Sequence, residues 1–117
     1  MAIDLAFATG SAVTVSTTEL SLISGTSTLQ ANTTAGIYEV VIDANAVTAT
    51  ESFEVKIYET VLAAGTKRVA HRMLINGVQA WPIVVYPSLL LGIGWDVTIK
   101  KLLGTDRALT WSIRKVA

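Results

Sequence analysis

Apolar and polar side chains alternate with a period of two along almost the whole chain. Ile3, Leu5 and Phe7 alternate with Asp4, Ala6 and Ala8; Val13 and Val15 with Thr14 and Ser16; Leu20 and Leu22 with Glu19 and Ser21. The pattern continues through Tyr38, Val40 and Ile42, through Phe53, Val55 and Ile57, and through Val69, His71, Met73 and Ile75. It closes with Trp95, Val97 and Ile99, then Leu109, Trp111 and Ile113. A strand sends successive side chains to opposite faces, so this rhythm marks antiparallel strands with one buried face and one wet face. Ile37 and Val41 break it by placing apolar groups on the nominally outer face.

Turn chemistry separates these runs. Thr9-Gly10-Ser11, Ser24-Gly25-Thr26-Ser27, Thr34-Ala35-Gly36, Gly65-Thr66 and Gly104-Thr105-Asp106 read as turns or loops. Asn76-Gly77 tolerates positive φ at both positions and predicts a tight hairpin from Ile75 into a strand near Val78. Pro82 and Pro87 bracket Ile83-Val84-Val85-Tyr86, which predicts a short edge strand, because proline cannot donate to a ladder. Asp43 could cap one helical turn over Ala44–Val47. With eight or nine short strands and no alternation of strands with helices, the expected fold is an all-β antiparallel β-sandwich, with a jelly roll first and an immunoglobulin-like sandwich second. The 117 residues suit a single domain over residues 1–117 with one core.

Composition restricts the partners. The chain is 51% hydrophobic and 15% charged, where about 25% charged is usual. Either the core is large for the chain, or another subunit covers part of the apolar surface; the second reading is preferred. Nine basic and nine acidic residues cancel, which argues against nucleic acid, since its binders neutralise phosphate with a basic excess. The absence of cysteine excludes a disulfide framework and a cysteine-ligated zinc. The first residues carry no basic, apolar leader, and Leu89-Leu90-Leu91-Gly92-Ile93 is too short to span a bilayer. The expectation is a protein made and kept in a cytosol, without a membrane partner.

No catalytic or metal site emerges. His71 is the sole histidine and sits in an apolar strand pattern, so a partly buried histidine with a hydrogen-bond partner is preferred to a general base; a small hydrolase or isomerase built on it stays as an alternative. Glu51, Glu54 and Glu59 read as solvated face charges, with Glu54 paired to a cation across a ladder. Gly92-Ile93-Gly94 precedes a strand instead of a helix and is a turn, not a phosphate cradle. Asn32-Thr33-Thr34 matches a glycosylation pattern but reads as a polar loop. Lys67-Arg68, Lys100-Lys101 and Arg114-Lys115 each split between two strand faces. By parity Trp95 and Trp111 belong to the core, whereas Trp81 beside Pro82 is expected to be exposed and, with Tyr86 and Leu89, is a candidate interface anchor, the alternative being simple packing. Ile37, Val41 and Tyr58 are the other candidate interface residues. No cofactor is expected.

Within residues 50–117, Phe53-Glu54-Val55-Lys56-Ile57-Tyr58, Pro87-Ser88-Leu89, Gly94-Trp95-Asp96-Val97-Thr98-Ile99-Lys100, Gly104-Thr105-Asp106-Arg107 and Trp111-Ser112-Ile113-Arg114 resemble small structural proteins of tailed bacteriophages. The resemblance implies a non-enzymatic virion protein of the capsid decoration, or cement, type. It implies a homotrimer bound to the major capsid protein on the outside of the shell, synthesised in the host cytoplasm. It carries over no contact residue. The alternative is a carbohydrate- or receptor-binding β-domain of a phage tail or fibre.

Overall fold

A computed structural model describes residues 3–116. Among them run eight strands and no helix: β1 (Ile3–Val15), β2 (Leu20–Ser21), β3 (Gly36–Asp43), β4 (Ser52–Glu59), β5 (Arg68–Asn76), β6 (Ile83–Leu91), β7 (Asp96–Leu103) and β8 (Arg107–Val116). They form two antiparallel four-stranded sheets, ordered β1-β8-β3-β6 and β2-β7-β4-β5. Strand pairs 1–8, 2–7, 3–6 and 4–5 are nested, so the chain is folded like one long hairpin rolled over itself. This is the jelly-roll arrangement. Only β2 is short; the other strands have 8 to 13 residues, longer than the sequence suggested.

The inward positions of both sheets supply the core. Val40 and Ile42 of β3 and Leu109, Trp111 and Ile113 of β8 face Phe53, Val55 and Ile57 of β4 and Val97 and Ile99 of β7; all are buried. Trp95 lies against Tyr38 at 4.5 Å between ring centres, and Phe7 meets Tyr38 edge-on at 5.1 Å. The polar ends of these rings are bonded: Trp111 Nε1 donates to Leu22 O, Trp95 Nε1 and Tyr38 Oη to Thr34 O. Gly10 is required here, because a Cβ would stand 2.3 Å from the Trp111 ring.

Four local expectations are corrected. Asn76-Gly77 does turn the chain, with Gly77 at φ 67°, but opens no hairpin. Gly77 N donates to Glu51 O and Gln79 Nε2 to the Asn76 and Gly77 carbonyls, tying the turn to the start of β4 while the chain crosses to the other sheet. The strand beside Pro82 is an edge strand, but it continues through Pro87: a bulge at Pro87-Ser88, with Ser88 at φ 60°, absorbs the missing donor. Residues 44–47 make a turn and no helical segment, with Asp43 Oδ1 accepting from Asn45 N. Ile3 and Leu5 are exposed instead of buried, because β1 is irregular against β8 between Asp4 and Ala8.

Candidate functional site

The outer faces of the two sheets are the surfaces with the strongest character. On β1-β8-β3-β6, Ile3 pairs with Val116, Val116 with Ile37, and Ile37 with Leu90. Paired residues share a face, so these four form one apolar row across the full width of the sheet. Leu90 is 77% and Ile37 48% exposed. Ile3, Val116 and Ile37 of the row, with Leu5 and Pro87, border a shallow depression of about 270 Å³, closed on one side by Glu39 and Arg114, whose charged groups lie 3.7 Å apart. Further along, Val41 pairs with Val85 and Asp43 with Ile83. The exposed parts of Ile3, Leu5, Ile37, Ile83, Val85 and Leu90 sum to on the order of 600 Å². That is the upper end for a monomer's largest apolar patch and approaches the ~800 Å² per partner of a standard interface.

The outer face of β2-β7-β4-β5 is a charged network. Glu54 is buried between Lys56, at 3.4 Å, and Arg72, which is directly hydrogen-bonded to it. Burial pushes the Glu54 carboxyl up, but these two cations outweigh it and hold the group below the usual glutamate range. Glu19 accepts from Tyr58 Oη at 2.8 Å and from Thr98 Oγ1, and the Lys67 ammonium lies 5.3 Å above the Tyr58 ring. Burial, reinforced by the Glu19 carboxylate, raises the Tyr58 phenol.

Two further carboxylates, Glu51 and Asp96, are buried, the first against the expectation of a solvated face charge. Glu51 accepts from Thr48 N at 2.8 Å and Arg107 Nε at 2.7 Å; burial raises its pKa, and these bonds more than reverse the shift. Asp96 accepts from Ser21 Oγ, Gln30 N and Val97 N at 2.7 to 2.9 Å, and burial keeps it above the usual aspartate range. Each holds a loop against a strand. Arg107 is 56 residues from Glu51 and Ser21 is 75 from Asp96, so no local motif announced either contact.

The expected anchor does not assemble. Trp81 is 83% exposed on the crossover into β6, but Tyr86 and Leu89 pair with Val40 and Tyr38 on the inward face and pack on the core. Val41 is buried at 9%, and Tyr58 belongs to the polar network, so of the six named residues only Ile37 and Trp81 present open apolar area. Trp81 has no aromatic companion for a stacking platform: Trp95, Trp111 and Tyr38 are interior. His71 is exposed, not partly buried, and bonds to no side chain among the described residues. No three metal-ligating side chains cluster among those residues. Gly92-Ile93-Gly94 is a turn, with Gly94 at φ 55° and Ile93 O accepting from Thr60 Oγ1. The missed feature, the cross-sheet row, had one sequence signal: Ile37 on the wrong parity. A further depression, about 660 Å³, is an open groove between the β5 and β6 edges.

No protein-family model and no curated protein sequence matches the chain. Solved structures do. A mitogen derived from Yersinia pseudotuberculosis is 14% identical with a TM-score of 0.52, covering 99% of this chain and 86% of its own. Eiger TNF from S. frugiperda is 11% identical at TM-score 0.45, over 78% and 66% of the two chains. A xylan-binding domain of carbohydrate-binding module family 22 is 17% identical at 0.43, over 85% and 64%. The chain thus spans just under two thirds of the TNF and xylan-binding chains. What is shared with the mitogen is the fold.

Proposed function

We propose that the chain is a non-enzymatic structural subunit that self-associates through the outer face of β1-β8-β3-β6 and stabilises a phage capsid from outside, as a decoration protein. The observation that carries the reading is the Ile3–Val116–Ile37–Leu90 row, which leaves solvent only if another surface covers it. Sister copies are the simplest cover, and the resemblance of residues 50–117 to phage structural proteins supplies the setting and a trimer as the expected number. A clamp of this kind needs a stiff β scaffold, a self-association surface and no catalysis. The polar face of the other sheet, with Glu54, Lys56 and Arg72 joined in one ionic cluster, suits a surface turned to water.

Expanded phage shells that lack the protein provide the test. Adding it should raise their rupture temperature on heating; shells that rupture at the same temperature with and without it contradict the capsid role.

A further inference from the structure

Of the three asparagines, Asn32, Asn45 and Asn76, only Asn76 precedes a glycine. Glycine has no Cβ to shield its amide nitrogen, so an Asn-Gly step is the easiest place for a chain to cyclise on itself. In that reaction the Gly77 nitrogen loses its proton to solvent and bonds to Cγ of Asn76. The Cγ–Nδ2 bond breaks, and the nitrogen takes up a proton and leaves as ammonia. Water then opens the succinimide ring at either carbonyl and leaves an aspartate or an isoaspartate. Water is the sole co-reactant, and Asn76 is exposed.

The fold holds the atoms that this reaction must move. The nucleophile is engaged, because Gly77 N donates to Glu51 O at 2.8 Å. An amide in such a bond gives up its proton to solvent only when the structure opens locally. The electrophile is engaged too: Asn76 Oδ1 accepts from Ser52 Oγ at 2.5 Å. Gln79 Nε2 donates to the Asn76 and Gly77 carbonyl oxygens, both at 3.2 Å, and so steadies the peptide planes on either side of Gly77. Asn76 is also the last residue of β5, paired with Ser52 of β4. Ring closure needs the Gly77 nitrogen eclipsed with the Asn76 Cβ about the Cα–C bond, and the extended backbone of a strand turns it away.

We propose that Asn76 is a covalent modification site gated by opening of the β4–β5 end. It resists deamidation while the sandwich is closed, and reacts once the Ser52–Asn76 pair and the Gly77–Glu51 bond separate. An isoaspartate there routes the main chain through one additional methylene, so the pairing with Ser52 cannot re-form in its original register. Each opening that completes the reaction is thereby recorded permanently. The site belongs to the sheet opposite the apolar row, and its chemistry does not depend on what covers that row.

The test incubates the full chain at mildly alkaline pH, with and without unfolding concentrations of guanidinium chloride. Peptide mapping follows the exchange of amide nitrogen for oxygen at Asn76. The folded chain should react at least about tenfold more slowly than the unfolded one, as the free energy of local opening requires. Ser52→Ala should raise the folded rate roughly fivefold, the worth of about one net hydrogen bond, and should lower the hydrogen-exchange protection of the Gly77 amide. Gln79→Ala should act in the same direction and serves where the first variant does not fold. A folded chain that deamidates at Asn76 as fast as the unfolded one overturns the proposal. So does a folded variant whose Gly77 amide loses protection while the Asn76 rate stays at the parental value.

Discussion

The outer faces of the two sheets solve opposite problems with the same backbone. On β2-β7-β4-β5 the outward positions of β4 are Glu54, Lys56 and Tyr58: Glu54 is engaged by Arg72 of β5 and by Lys56 of its own strand, and Tyr58 by Glu19 just before β2. On β1-β8-β3-β6 the outward positions of β3 are Ile37, Glu39, Val41 and Asp43, and its apolar members line up with apolar residues of β6. A two-residue period is satisfied on both inner faces, so the outer faces were free to diverge. Part of the surplus apolar composition therefore lies on one sheet's outer face as a continuous row, while other exposed apolar side chains, such as Leu74 and Leu103 on the second sheet and Val61 and Leu62 in a loop, are scattered.

Substitutions can break this contrast. Ile37→Asp puts a charge in the middle of the row without touching the core. It is expected to have the largest effect: complete loss of self-association, seen as a drop to monomer mass by analytical ultracentrifugation, with an unchanged β-sheet circular dichroism spectrum. Glu54→Ala on the opposite sheet should do the reverse. It leaves Lys56 and Arg72 facing each other without their shared acceptor and should cost about 2 kcal/mol in denaturant unfolding, at fixed protein concentration, while the mass stays the same.

Acid should sharpen the contrast further. Glu51 and Glu54 have folded pKa values below the ordinary ~4.3, so the stability they contribute is complete above that value and disappears as pH falls through the folded values. Melting temperature should drop below about pH 4, and Glu54→Gln should lose less over that interval than the parent. The smallest effect belongs to Trp81→Ala. Being 83% exposed and apart from the row, it should change stability by less than about 0.5 kcal/mol and leave the mass untouched.

The alternation made the fold class legible, because the inward runs of β3, β4, β7 and β8 obey it. The nesting of strands was not legible. Nothing in Leu20-Ser21 says that it will meet Ile99 and Thr98, since that register is fixed by contacts across the whole sandwich. Asn76-Gly77 misled because its backbone preference specifies a reversal and not the sheet into which the chain returns. The face was half legible. Ile37 stood out by parity, but Ile3 and Leu5 looked like core until the β1 irregularity turned them outward, and Leu90 was hidden in a continuous leucine run. Tyr86 and Leu89 looked like companions of Trp81 because they are near it in sequence; the strand turns them inward.

Light scattering coupled to size exclusion, on the unmodified chain at tens of micromolar, bears most directly on the claim that sister copies bury the β1-β8-β3-β6 outer face. The expected mass is three times the 12.4 kDa of one chain. A species of 12.4 kDa across that concentration range would contradict the account, because the apolar row would then be standing in water.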